Sequence, residues 1–183
     1  MKKVLKHLKN NAAIYLVLIA CIVVVLIAVF YKTKDELKEV DVSLFEVVDL
    51  DKAIKLYDDN EAKILIISNN TDQTTVNYVG YVQYSMITNG YKPYFMYQED
   101  INFKKDKDKV EKFNELLELN VNYNGKSISL ADCLKEDIVP ITVIIKNKKT
   151  IYGFIGTLNT STLDSLAQAY GIGDKNMYQP EDE

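Results

Sequence analysis

The sequence predicts an α/β domain built on a mixed sheet, with strand and helix signals alternating from Val42 to Gly171. Three observations carry this. "KILIIS" (Lys63–Ser68) is a continuous apolar run too short for a helix, the pattern of a central strand covered on both faces. Directly after it, Val76, Val79, Val82 and Met86 recur at helical spacing. Near the C-terminus, "VPITVIIKNKKTIYGFIG" reads as a strand, a Lys-rich turn and a returning strand.

The remaining elements follow in order. "DVSLFEVV" (Asp41–Val48) is expected to be a strand. "DLDKAIKLYDDNE" places Leu50, Ala53, Ile54 and Tyr57 at helical spacing behind Asp49 or Asp51 as cap. The helix after "KILIIS" ends at Asn89-Gly90, a short aromatic strand covers Pro93–Gln98, and "DKDKVEKFNELLEL" aligns Val110, Phe113, Leu116 and Leu117 on one helical face. "VNYNGKSIS" is a loop or small hairpin around Asn124-Gly125, and "LADCLKEDI" a short helix. "TSTLDSLAQAYG" closes the domain as a helix, with Thr160 or Ser161 as cap and Gly171 as stop. Tyr78, Tyr81 and Tyr84, three apart on a packed helix, are expected in the core. The organisation is therefore a basic N-terminus (1–11), an apolar segment (12–31), a connector (32–41), the α/β domain (42–173) and an acidic tail (174–183).

Composition narrows the function. Among 183 residues there are 26 acids and 22 basic residues, all lysine, for a net charge of −4. Without arginine the guanidinium fork that reads guanine edges and clamps phosphates is missing, so nucleic acid is excluded as a partner. His7 is the only histidine and no Cys/His cluster exists, which leaves a transition metal without ligands; no cofactor motif is present. Asp100–Glu111 places acids or amides at several positions of a calcium loop. It puts Lys104 at the fifth and Lys105 at the sixth, where a glycine is needed, and reads as a solvated helix start.

"AAIYLVLIACIVVVLIAVF" (Ala12–Phe30) carries no charge, and about 19 helical residues nearly match a hydrocarbon core of roughly 30 Å. The flank before it holds Lys2, Lys3, Lys6 and Lys9 without an acid, whereas the flank after it mixes lysines with acids. The expected topology is a single-pass cell-membrane anchor, N-terminus cytoplasmic and C-terminal domain extracytoplasmic. "LIAC" ending at Cys21 also matches a lipobox, but it is followed by "IVVVLIAVF" rather than a polar stretch, and "AVFYK" offers no signal-peptide cleavage site.

The order β-α-β-α-β-α, then an antiparallel strand pair and a last helix, resembles the thioredoxin-like fold superfamily over roughly Val42 to Gly171. The residues that carry it are Val139, Pro140, Ile141-Thr142, the apolar strand Val143–Ile145, the turn Asn147–Lys149 and Gly156. The resemblance implies a three-layer α/β/α sandwich with a central mixed sheet, and a cis peptide bond before Pro140. It also implies a Cys-x-x-Cys pair between the second strand and its helix. Here the matching junction is Thr71, Asp72, Gln73, Thr74 and Thr75, with no thiol, and disulfide exchange requires a thiolate. Asp72 is expected to cap the helix.

The expected function is that of a membrane-anchored, redox-inactive thioredoxin-like binding or adaptor protein of the bacterial cell envelope, not an enzyme. Its partner is a protein or peptide docked at Val139, Pro140 and Ile141 and the degenerate loop. The layout is similar to that of bacteriocin-transport accessory proteins, which suits a role accessory to export or assembly of a polypeptide. The alternative is a thiol-disulfide oxidoreductase using the single Cys133, which would need that thiol exposed and acidic; a free cysteine in such a helix is more often a small buried apolar residue.

Overall fold

The computed structural model describes residues 19–25, 39–70 and 73–173. The chain divides into two compact units, Met1–Lys38 and Glu39–Glu183. Of the first, residues 19–25 are helical with exposed side chains. Most of the expected anchor (12–31) lies outside the described residues, and among those described no helix is long and apolar enough to cross a membrane.

The second unit has a five-stranded sheet in the order β1-β3-β2-β6-β7. Its strands are β1 (Glu46–Val47), β2 (Lys63–Ser68), β3 (Tyr94–Tyr97), β6 (Ile141–Lys146) and β7 (Lys149–Ile155). β1, β3 and β2 run parallel, whereas β6 and β7 are antiparallel to their neighbours. The helices are α1 (Leu50–Lys55), α2 (Gln73–Asn89), α3 (Lys107–Leu116), α4 (Leu130–Lys135) and α5 (Thr160–Tyr170). Between α3 and α4 the chain inserts a separate hairpin, β4 (Asn120–Tyr123) and β5 (Lys126–Ser129). Its turn holds Asn124 and Gly125 at positive φ, 52° and 78°, conformations these two residues tolerate best.

Alternation along β2 explains the layers. Leu65 and Ile67 face one core with Ala53 and Ile54 of α1, Phe113 of α3 and Leu134 of α4; Ile64 and Ile66 face the other with Val79 and Val82 of α2 and Leu163 and Ala167 of α5. Every residue from Ile64 to Ser68 is buried, so "KILIIS" is the two-sided central strand its composition suggests. Burying about ten such side chains stabilises the sandwich by roughly 1.5–3 kcal/mol each before the entropy of ordering them is set against it.

Local differences from the sequence expectation have physical reasons. The first strand shrinks from Asp41–Val48 to Glu46–Val47, the two residues that pair in register with Tyr94 and Phe95 of β3, with Val48 N donating to Phe95 O at 2.8 Å just beyond it. Asn159, rather than Thr160 or Ser161, caps α5: its Oδ1 accepts from Thr162 N at 2.8 Å. Asp49 caps α1 as expected, accepting from Lys52 N at 2.8 Å. Tyr78 is buried, but Tyr81 and Tyr84 are 56% and 68% exposed and lie outside the core.

Candidate functional site

The β2–α2 junction and the Pro140 loop meet because β2 and β6 pair antiparallel. Ile67 is opposite Ile141, so the residues that follow one and precede the other, Ser68 and Pro140, fall side by side. The Val139–Pro140 peptide is cis, as the resemblance implies. Pro140 and Ile141 are buried, and Val139 is half-buried. Pro140 O accepts from Gly156 N at 2.8 Å, which ties the loop to the end of β7. Val139 differs: its own N–H and C=O have no hydrogen-bond partner among the described residues.

Hydroxyl groups fix the wall behind this loop. Ser68 Oγ and Thr75 Oγ1 lie 2.6 Å apart, joining the end of β2 to the first turn of α2. Tyr78 OH is 2.6 Å from Thr142 Oγ1, joining α2 to β6. Both pairs are buried, where an unpaired hydroxyl would cost about 1–3 kcal/mol, so each residue depends on its partner. Burial pushes the Tyr78 phenol above its ordinary value, more than the Thr142 hydrogen bond lowers it, and the group stays a neutral hydrogen-bonding spacer. From β3's side, Glu99 Oε1 accepts from Asn70 N at 2.6 Å, and Asn70 O accepts from Val40 N at 3.0 Å.

Of the residues expected at the site, the structure brings together Val139, Pro140, Ile141 and Thr75. Gln73 and Thr74 are exposed on the first turn of α2, where Gln73 Nε2 donates to Asn77 Oδ1 at 3.1 Å. Thr71 and Asp72, including the expected cap, lie outside the described residues. Ser68, Asn69 and Glu99 also take part and were not expected at the site from sequence, and Tyr78, expected in the core, adds its hydroxyl from there. Asn69 Oδ1 is buried without a hydrogen-bond partner among the described residues. A polar signal existed in "ISNN", where the apolar run stops at a serine and two amides.

Cys133 is placed elsewhere. It is fully buried among the residues under α1, α3 and α4, and burial, followed by Glu136 and Asp132, raises its thiol pKa. A thiolate is disfavoured there, although Cys133 shares its core with Val139 and Ile141 and its backbone O accepts from Ile138 N at 2.9 Å. Among the described residues no group of acids, cysteines and histidines is disposed to hold a metal ion. What remains is a half-buried edge at Val139 whose backbone donor and acceptor have no partner among the described residues, with hydroxyl support behind. It offers the hydrogen bonds of a strand edge to an extended chain.

No known protein family and no curated protein matches the sequence. Solved structures that match the chain include two with these measures of likeness. One, described as a candidate oxidoreductase with a thioredoxin fold, is 12% identical, with 69% of this chain and 94% of that chain covered and a TM-score of 0.46. The other, the oxidised thioredoxin of Plasmodium falciparum, is 16% identical, with 69% and 97% covered and a TM-score of 0.42. The thioredoxin-like fold of this chain is carried by its own strand order and layers.

Proposed function

We propose that the chain is a redox-inactive binding or adaptor protein. In this reading residues 12–31 anchor it in the cell membrane, the thioredoxin-like domain lies outside the cytoplasm, and an extended polypeptide segment docks along the Val139–Pro140 edge. The observation that carries the reading is the pairing of unsatisfied backbone groups at Val139 with a β2–α2 junction that has hydroxyls and amides where a thiol chemistry would need sulfur. A partner strand running beside Val139 gains two main-chain hydrogen bonds. An oxidoreductase using Cys133 is disfavoured by that thiol's burial and raised pKa.

A photoreactive side chain placed at Val139 in the native membrane tests this. It should form adducts with a polypeptide, while the same group at Lys126, exposed on β5, should not. Equal capture at both positions, or none at Val139, would remove the docking edge from the account.

A further inference from the structure

We propose that the outer face of the α2–α5 layer is a docking surface for a second copy of this chain, centred on Tyr84 of α2. The two helical layers differ sharply in charge. α2 has 17 residues and none is charged, and α5 has 11 with only Asp164, whose carboxylate accepts from Ser85 Oγ in the seam between the helices. On the other side of the sheet, three of six residues in α1, six of ten in α3 and two of six in α4 are charged. A solvated helix face normally carries charge. This one instead exposes Tyr81, Tyr84 and Ile87 at 56%, 68% and 55%, with Gly80 and Thr88 beside them.

At about 100° per residue these five positions fall on one arc of α2, with Tyr84 near its middle. Tyrosine combines a large contact area with a polar tip, and loss of charge together with gain of aromatics marks the core of protein interfaces. The nature of the partner follows from charge. A bilayer surface is held by faces rich in lysine, and α2 and α5 have none. A foreign protein partner is commonly selected by complementary charge, and this face offers almost none to complement. A second copy needs only a face compatible with itself. In a chain of net charge −4, the uncharged layer is where two copies approach with least repulsion.

The test uses the full chain with Cys21→Ser, leaving buried Cys133 as its only native thiol. With Tyr84→Cys added, mild oxidation should give a disulfide-linked dimer, since a residue near a two-fold axis meets its own copy. With Asp51→Cys on α1 instead, the chain should stay unlinked. Gly80→Lys is the second arm. A Cβ at Gly80 meets nothing within 4 Å, so the thermal midpoint should not fall, but two lysines brought into the contact should lower the cross-link yield by about tenfold or more. The inference is overturned by absence of the link at position 84, by equal linking at positions 84 and 51, or by a yield that Gly80→Lys leaves unchanged. It is overturned equally if position 84 is shielded from a water-soluble thiol reagent by lipid vesicles holding a single copy each, which would make the bilayer the occupant.

Discussion

Tyr57 shows how single side chains hold the sheet to its helices. Its OH lies 2.8 Å from Thr150 Oγ1 on β7, and Thr150 Oγ1 donates to Leu116 O of α3 at 2.6 Å, so one chain of hydrogen bonds ties the turn after α1 to β7 and α3. Burial pushes the phenol from 10.0 up to about 12, opposed in part by the Thr150 hydrogen bond. A folded pKa above the unfolded one means that its contribution is complete below pH 10 and is lost as pH rises through about 12. Tyr57→Phe should therefore cost about 1 kcal/mol at pH 7, from the lost hydrogen bond. It should also make stability fall less steeply above pH 10 than in the parent chain. Urea unfolding at pH 7 and at two alkaline values checks both; an unchanged alkaline slope would mean that the phenol is accessible to water.

At the scale of elements, packing decides what propensity leaves open. Gly153 on β7 is where the inserted segment lands: a Cβ there would overlap Leu130 Cδ1 and come within 3.2 Å of Leu119 Cδ2. Leu130 is fully buried at the start of α4 and cannot swing into solvent. Gly153→Ala should cost about 1–3 kcal/mol in thermal or denaturant unfolding, the usual penalty for overpacking. A neutral result would show that α4 and its hairpin shift freely over the sheet. The strands β2, β6 and β7 and the helices α1 and α3 were legible because long apolar runs and helical spacing record burial directly. The cap of α5 was not, since "NTST" offers several side chains able to accept a hydrogen bond and only the path of the chain selects Asn159. Tyr81 and Tyr84 were misplaced for a related reason. A three-residue spacing drifts by about 60° per step around a helix, so only Tyr78 stays with the valine stripe. The degenerate junction was visible as missing cysteines, but the orphaned Asn69 carbonyl and the free Val139 backbone depend on strand register, which no local pattern encodes.

Across the whole domain, one sheet separates two unlike surfaces and two unlike cores. The charged layer of α1, α3 and α4 encloses Cys133; the uncharged layer of α2 and α5 begins at the junction beside Pro140 and continues into the tyrosine face. The central proposal is that Cys133, buried in the first layer, is chemically silent. Its most direct measurement is the rate at which a thiol reagent modifies Cys133 near neutral pH in the folded Cys21→Ser chain, taken together with insulin disulfide reduction. The account predicts no reduction, and modification only after the chain is unfolded. Rapid modification of the folded chain accompanied by insulin reduction, both abolished by Cys133→Ser, would contradict it.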